Sequence, residues 1–323
     1  MRADPLTVPE LRAVAEDLAQ SFETARDLGS LIPTGKFESH TSTFYELSAL
    51  GDDAPTALIK VGGDWDQTEA RRIYHDLVAL SALLAENGSP LGVASPMGWH
   101  AAPPSICIEY VRGDDLGHLL RGANRDSAVE FGPVIEACGR ALGAFHSQSP
   151  VADLVPDPAS MRADIESMAK TVMLRPWFLE GVDLVDSTAR RYGDFAPYNI
   201  RLDAGGRAWI IDQPSPPALE PVHRDVAWFL FNLERRLGWD TPDRGDALEE
   251  ARGRLAESFH NGYRRTGVVA LNTPADHALL ALYRSHRSLW TARRRLRQRE
   301  IGEVPAYLRL AVDWRKKAAS PPG

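Results

Sequence analysis

Apolar residues recur at two different spacings along this chain, and the spacing divides it into two parts. In the first part, the helical period predicts amphipathic helices over 8–28 and 66–88. Short apolar runs bounded by turn residues predict strands at 44–47, 54–63 and 106–111. The first part is therefore expected to hold a small antiparallel sheet with one or two helices.

Beyond residue 113 the helical period dominates. The predicted helices cover 114–121, 127–147, 159–174, 178–190, 223–237, 245–266, 274–299 and 303–318. The segment 191–213 interrupts them with two strand-like pieces, YNIRL and AWIID, which are separated by the turn signal DAGG. We therefore expect an α+β protein with two domains, residues 1–111 and residues 112–323, and a linker near 110–113.

Composition and charge are those of a globular protein and argue against a general nucleic-acid binder. Of the 323 residues, 44% are hydrophobic and 25% are charged, and the formal net charge is -7. Residues 1–111 hold 7 Lys/Arg against 16 Asp/Glu, whereas residues 112–323 hold 30 against 28. Cys107 and Cys138 stand outside any CxxC pair, so we expect buried thiols. The sequence shows no secretory signal and no apolar run of membrane-spanning length, which favours a cytoplasmic location.

One polar stretch, YGDFAPYNIRL at 192–202, combines a carboxylate with an amide five positions later. It is either an ordinary Asp-rich turn or a loop that holds a metal ion and a reacting hydroxyl. A hairpin of YNIRL with AWIID would bring Asn199 near Asp212. Oxygen ligands of this kind suit Mg²⁺, which takes one or two protein carboxylates together with substrate phosphates. Asp194 would then orient or deprotonate a hydroxyl, which is the division of roles that phosphoryl transfer requires.

The same stretch, followed by AWIIDQP, resembles the catalytic loop and metal segment of the aminoglycoside phosphotransferase and choline kinase-like family. The resemblance extends over most of the chain, through ALIKVGG, TEARRIYHDL, ICIEYVRGDDL, ALGAFHSQSP and HRDVAWFLF. It implies a bilobal protein-kinase-like fold, with a small antiparallel N-lobe that binds nucleotide and a larger, mostly helical C-lobe. It also implies transfer of the γ-phosphoryl group to a hydroxyl of a small molecule, such as an aminoglycoside, an amino alcohol or a sugar. The implied cofactor is Mg²⁺, and the implied co-substrate is ATP or, alternatively, GTP.

The resemblance assigns nucleotide-binding roles in the first domain. It implies that Lys60 contacts the α- and β-phosphates and that Glu69 pairs with this lysine. It also implies that backbone groups of Glu109, Tyr110 and Val111 meet the adenine ring.

In the second domain the resemblance makes Asp194 the catalytic carboxylate, with Asn199 and Asp212 as metal ligands. The string HRD, familiar from the catalytic loop of protein kinases, occurs later and ends at Asp225. Leu230, five positions after Asp225, cannot ligate a metal. We therefore assign catalysis to Asp194 and expect Asp225 to brace the catalytic loop.

Three positions depart from the family pattern. Tyr192 stands where the family usually has histidine, and we expect it to support the loop. The phosphate loop lacks GxGxxG and reads GKFESHTST, in which Ser39, Thr41 and Ser42 are candidates for covering the phosphates. The dipeptide Gln-Pro follows the metal aspartate in place of Phe-Gly, so the two-state flip of regulated protein kinases is not implied.

The sequence does not identify the acceptor. The helices of 154–190 and 240–300 are expected to bind it, whereas Trp228 is expected to be a core residue. The stretch 284–299 carries seven arginines and is either a solvated helix face or an anion-binding face. Two alternatives remain: a nucleotide-binding scaffold of the pseudokinase kind, and a kinase of a carbohydrate, lipid-linked or protein acceptor.

Overall fold

A computed structural model describes residues 6–38, 42–52, 54–123, 125–148, 154–175, 177–180, 182–237 and 246–319. The strands are β1 Ile32–Glu38, β2 Ser42–Ser48, β3 Ala57–Gly62, β4 Leu91–Val93, β5 Pro96–Ala101, β6 Pro104–Glu109, β7 Asp114–Asp115, β8 Thr188–Arg190, β9 Ile200–Leu202, β10 Ala208–Ile210 and β11 Leu219–Pro221. The α-helices are α1 Val8–Ser21, α2 Gln67–Glu86, α3 Leu116–Gly122, α4 Arg125–Glu130, α5 Gly132–Gln148, α6 Pro158–Thr171, α7 His223–Arg236, α8 Asp246–Arg264, α9 Pro274–Arg297 and α10 Val304–Ala319. Within these residues, no helix combines the length and the apolar character needed to cross a membrane.

The chain folds into two compact units. The first contains the residues up to Glu86, Gly92–Gly113 and Arg201–Gln213, and the second contains Asn87–Leu91, Asp114–Ile200 and the residues from Pro214 onward. The segment Arg201–Gln213 joins the first unit because β10 lies between β4 and β9 in a small sheet, where the Ala94 N–H donates to the Ile210 carbonyl. The sequence-based division assigns this segment to the second domain, since the local pattern does not reveal its pairing with a distant strand.

The first unit is built on five antiparallel strands in the order β1, β2, β3, β6, β5. The central strand β3 reads ALIKVG and is buried at every position, as its nearly continuous apolar run predicts. Helix α1 begins with a capping box, in which the side chains of Thr7 and Glu10 each accept the other residue's backbone N–H. It packs on the sheet, with the 3-10 segment Glu23–Ser30, through a core that includes Leu11, Val14, Leu18, Leu28, Tyr45, Leu47, Ile59 and Cys107.

The second unit is mostly helical, and glycines allow its helices to approach closely. Helix α5 packs along α8, and α9 packs along α7 and α10. A Cβ added to Gly139 on α5 would lie 2.0 Å from the carbonyl oxygen of Phe259, and one added to Gly262 on α8 would lie 1.9 Å from that of Glu136. The backbones of α5 and α8 therefore touch where side chains would normally separate them.

The α+β class, the antiparallel sheet and most of the predicted helices are confirmed, but the predicted helix at 178–190 is wrong. A 3-10 turn at Trp177–Glu180 is followed by β8, which pairs antiparallel with β11. The Asp183 side chain accepts hydrogen bonds from the backbone N–H groups of Val185 and Asp186, which turns the chain there. The ladder with a later strand then stabilises the extended conformation over helix.

Two further differences concern the first unit. The helix predicted over 8–28 ends at Ser21, because Phe22 is extended and the 3-10 segment follows it. The sequence predicts neither β1 nor β5, which are the two edge strands of the sheet. Edge strands are half exposed, as the burial pattern of β1 shows, so their apolar signal is weak.

We expect Gly139→Ala to lower the free energy of unfolding by about 1–3 kcal/mol, because the new methyl group must push two helix backbones apart. Gly253 provides the matched control, since it lies on the exposed side of α8 with open space around it. Gly253→Ala should raise stability by up to about 1 kcal/mol through helix propensity. Urea unfolding measures both, and equal stability of the two variants would contradict the close approach of α5 and α8.

Candidate active site

The loop that begins at Arg191 is held by the buried carboxylate of Asp225, of which only 3% is exposed. The backbone N–H groups of Tyr192 and Gly193 donate to its two oxygens at 2.5 and 3.0 Å. His146 Nε2 lies 3.2 Å from Asp225 Oδ2, and His146 Nδ1 lies 2.8 Å from the hydroxyl oxygen of Tyr263. Asp225 thus ties the start of the loop to α5, α7 and α8.

Tyr192 fills an aromatic cluster beneath this loop. Its ring is almost fully buried and lies 5.1 Å from that of Phe145 and 5.0 Å from that of Phe195, both edge-on. Gly193 has a φ of +94°, and a Cβ there would lie 2.0 Å from Ser215 Oγ, so this position requires glycine. The Tyr-Gly pair therefore sets the direction of the residue that follows.

The carboxylate of Asp194 is oriented by three donors. Its Oδ1 accepts hydrogen bonds from the Tyr198 hydroxyl at 2.5 Å and from Trp228 Nε1 at 2.9 Å. Asn199 Nδ2 lies 3.2 Å from Oδ2 and donates to the Asp194 carbonyl oxygen at 2.8 Å. Burial and the charge of Asp194 raise the pKa of Tyr198, so its hydroxyl remains a proton donor. The structure therefore brings Asp194 and Asn199 together, whereas the sequence predicted a neighbourhood of Asn199 with Asp212.

Two of these donors were not predicted to act on Asp194. The sequence assigns no role to Tyr198, and it assigns Trp228 to the core because this residue lies in the apolar run VAWFLF. Tyr198 could have been found from its position four residues after Asp194. Nothing in the local pattern distinguishes Trp228, whose indole N–H meets the loop only in the folded protein.

In the first unit, Lys60 projects from the central strand β3 and is 7% exposed. Its Nζ lies 2.7 Å from Asp212 Oδ1 and 2.8 Å from Gln213 Oε1, both on the segment that follows β10. The rings of Phe44 and Trp65 lie 5.4 and 5.7 Å from the same nitrogen. A buried ammonium group and a carboxylate are thus placed together at the residues predicted to act on phosphates and metal.

Glu69 has a different partner from the one that the family resemblance implies. Both of its carboxylate oxygens bind the guanidinium group of Arg72, one turn further along α2, at 2.8 and 2.7 Å. Among the contacts of the described residues there is no pair between Lys60 and Glu69. The i, i+3 spacing on the helix explains the choice of Arg72, and the pairing with Lys60 stays a prediction.

The predicted adenine segment is fixed by its neighbours in the first unit. The Tyr110 N–H donates to the Thr56 carbonyl at 2.9 Å, and the Val111 carbonyl accepts from Arg201 at 3.0 Å. The Glu109 carboxylate accepts from the hydroxyl of Ser95 at 2.8 Å. The contact of this segment with adenine stays a prediction.

The predicted phosphate loop is only partly covered by the structure. Ser39 and Thr41 lie outside the described residues. Ser42 is buried at the start of β2, where it pairs in register with Gly62 of β3. Its contact with phosphate therefore also stays a prediction.

A cavity of about 920 Å³ lies within the second unit, and Asp194 lines it. Its other walls come from α6 and the residues before it, from the start of α7 and from α9. Lining residues include Asp157, Met161, Asp164, Glu220, Arg224, Trp228, Tyr283, His286, Arg287 and Trp290. Parts of the two regions predicted to bind the acceptor, 154–190 and 240–300, thus meet around the candidate catalytic carboxylate.

The chemistry of the predicted metal ligands is of the kind that suits a magnesium ion held together with substrate, and the site itself stays a prediction. Among the described residues, no group of three His, Cys, Asp or Glu side chains is placed to hold a metal. The predicted ligands are instead one carboxylate, Asp212, and one amide, Asn199, whose nitrogen rather than oxygen faces Asp194. A small set of hard oxygen donors is what Mg²⁺ uses when phosphates complete its shell.

The arginines of α9 have different surroundings. Arg284 forms an ion pair with Glu234, and Arg295 forms ion pairs with Glu300 and Glu303. Part of the charge of the stretch 284–299 is therefore neutralised within the second unit. An anion-binding role for the whole face stays a prediction.

Comparison with solved structures identifies the fold. The chain is similar to a choline/ethanolamine kinase family protein from Mesorhizobium loti, with a TM-score of 0.52 and 13% identity over 96% of this chain and 95% of that one. It is also similar to an amicoumacin kinase in complex with AMP-PNP, Ca²⁺ and Ami, with a TM-score of 0.55 and 14% identity over 90% and 88%. A glucosamine kinase gives a TM-score of 0.50 and 19% identity over 95% and 79%. No protein-family model matches the chain, and no curated protein matches its sequence.

The chain therefore has the protein-kinase-like fold that these small-molecule kinases share, as the resemblance of its motifs implies. At such low identity the likeness establishes the fold alone. The contacts around Asp194 and Lys60 are the evidence for the function of the protein.

We expect Asp225→Asn to lower the free energy of unfolding by about 1–3 kcal/mol, because an amide cannot accept from two backbone N–H groups without placing one donor against another. Asp186→Asn is the control, since Asp186 is exposed on the same unit and should shift stability by less than about 0.5 kcal/mol. Urea unfolding measures the free energy of unfolding of both variants. Wild-type stability of Asp225→Asn would mean that Asp225 does not hold the loop.

Proposed function

We propose that this protein is a phosphotransferase that moves the γ-phosphoryl group of ATP to a hydroxyl of a small molecule. The observation that carries the proposal is the carboxylate of Asp194, oriented by three donors at the wall of a cavity of about 920 Å³. A cavity of this volume is in the usual range for small-molecule sites. The names of the similar structures, which are kinases of small molecules, support the same class of reaction.

In this proposal Asp194 accepts a hydrogen bond from the acceptor hydroxyl and takes its proton as the phosphoryl group is transferred. Catalysis of this reaction depends mostly on positioning and charge, because the transition state is loose and spreads charge over its oxygens. The donors Tyr198, Trp228 and Asn199 therefore contribute by keeping one orientation of the carboxylate. A carboxylate that could rotate would hold the acceptor hydroxyl in line with the γ-phosphoryl group for only part of the time.

On the nucleotide side, Lys60 would bind the α- and β-phosphates, with Asp212 and Asn199 as ligands of Mg²⁺. When bound, Mg²⁺ supplies positive charge that neutralises the phosphate oxygens. Lys60 already lies against Asp212 within the first unit, so the ammonium group is held in place before nucleotide binds. Phe44 and Trp65 limit its exposure and fix its direction.

Thermal unfolding with nucleotides tests the nucleotide half of the proposal. ATP with Mg²⁺ should raise the stability of the protein, by about 2.7 kcal/mol at a hundredfold excess over the dissociation constant. Mg²⁺ alone and ATP with EDTA are the controls, and GTP tests the choice of base. Stabilisation that does not depend on Mg²⁺ would favour the pseudokinase-like scaffold, and none with either nucleotide would contradict the proposal.

Variants of the two candidate aspartates separate binding from transfer. With a hydroxyl compound that a panel of acceptors identifies, Asp194→Ala should lower the rate of transfer by about 10²- to 10⁴-fold and leave the affinity for ATP with Mg²⁺ nearly unchanged. Asp212→Ala should lower both, because it removes a proposed metal ligand and the partner of Lys60. Asp186→Ala, at an exposed site, should change neither. Near-normal turnover of Asp194→Ala would show that the catalytic assignment is wrong.

A further inference from the structure

Among the described residues, one guanidinium group at the cavity around Asp194 has no hydrogen-bond or ion-pair partner. Arg287 projects from α9 and lines the cavity together with Asp194. Its guanidinium carbon lies 3.8 Å from the ring centre of Trp228 and 4.3 Å from that of Trp290. The two indoles hold the flat group in one plane and direction.

The surroundings of Arg287 differ from those of the other arginines at this cavity. Arg191 and Arg224 both form ion pairs with Glu220. In the part of the chain that the structure describes, the guanidinium group of Arg287 forms no hydrogen bond and no ion pair, and its Nε is shielded from solvent without a partner. Its guanidinium group thus lies in the cavity wall against two indole rings, without a hydrogen bond or ion pair among the described residues.

This arrangement has an energetic consequence. Burial lowers the pKa of Arg287 to about 10, although the nearby carboxylate of Asp194 acts in the opposite direction. The group is therefore still charged at neutral pH. Much of its hydration has already been removed by the fold, so an anion that binds it meets a smaller desolvation cost than at a surface arginine.

The charges around the cavity limit which anion fits. Asp157 and Asp164 also line the cavity, in addition to Asp194 and Glu220, so carboxylates outnumber the three arginines. A dianionic phosphate monoester would be repelled by this set. A single carboxylate matches the one unpartnered guanidinium and can bind it through two parallel hydrogen bonds.

We infer that the acceptor is a hydroxyl compound that also carries a carboxylate, and that Arg287 binds this carboxylate and selects the acceptor. The inference rests on the proposed function, because it names the class of compound that the kinase phosphorylates. A purely structural role for Arg287, in which it only packs the two indoles together, predicts no preference for anions. The two roles therefore predict different relative affinities for two probes that differ only in charge.

The test uses two probes of the same shape and different charge, 4-(hydroxymethyl)benzoate and 4-(hydroxymethyl)benzamide. Both carry a hydroxyl and a flat ring, and only the first carries a carboxylate. Their dissociation constants are measured by ligand-detected NMR titration with wild-type protein, Arg287→Met and Arg297→Met. Arg297 is the matched control, since it lies on α9, is exposed and does not line the cavity.

We expect the wild-type protein to bind the benzoate about tenfold more tightly than the benzamide, as a charge-assisted pair provides. The preference should fall below about threefold in Arg287→Met and persist in Arg297→Met. If Arg287→Met does not fold, Arg287→Gln replaces it, because its planar amide can still lie between the indoles. The inference is wrong if the wild-type protein shows no preference for the benzoate. It is also wrong if the preference persists in Arg287→Met.

The affinity for ATP with Mg²⁺, measured on the same proteins, separates this inference from the proposed function. Nucleotide binding without a carboxylate preference contradicts the inference alone. A carboxylate preference that depends on Arg287, without nucleotide binding, contradicts the kinase proposal and supports the carboxylate site. If Arg287→Met weakens ATP binding about tenfold while the probe preference is unchanged, the guanidinium group serves the nucleotide and the inference is wrong.

Discussion

The candidate site depends on the hydrogen bonds that the buried carboxylate of Asp225 accepts. It accepts from two successive backbone N–H groups, those of Tyr192 and Gly193, and it contacts His146 within the second unit. A carboxylate at this depth is costly to bury unless its oxygens are hydrogen-bonded, so the loop and the helices around it have to keep one arrangement. That arrangement holds Gly193 at positive φ and places Asp194 at the cavity wall.

The other charged groups of the site also have hydrogen-bonding or oppositely charged partners, with one exception. Lys60 is buried against Asp212, and the carboxylate of Asp194 is met by three donors. Each of these groups has its compensation within its own unit. Arg287 is partly buried against two indole rings, and its guanidinium group forms no hydrogen bond or ion pair with the described residues. A charge without compensation in a cavity wall is a property of binding sites rather than of cores.

Local sequence predicted those features whose partners lie nearby in the chain or in a regular element. The apolar run around Lys60 predicted the strand that carries it, and the helical periods predicted most of the helices. Prediction was wrong where a distant segment competes with the local pattern, as in the helix expected at 178–190, part of which pairs as β8 with β11. The carboxylate of Glu69 is bound by the nearby Arg72 in the described structure, and its pairing with Lys60 stays a prediction.

The sequence by itself determined the fold class, most of the helices and the candidate catalytic loop, since these depend on periodicity, on short spacings and on motifs that resemble a known family. The tertiary structure alone decided which side chains surround that loop. Trp228 lies 34 positions after Asp194, and its indole N–H reaches the carboxylate only because α7 packs against the loop. Arg287 likewise reads as one arginine among seven until burial and two tryptophans distinguish it. Such properties arise from long-range packing and loss of solvent, which no local pattern of residues records.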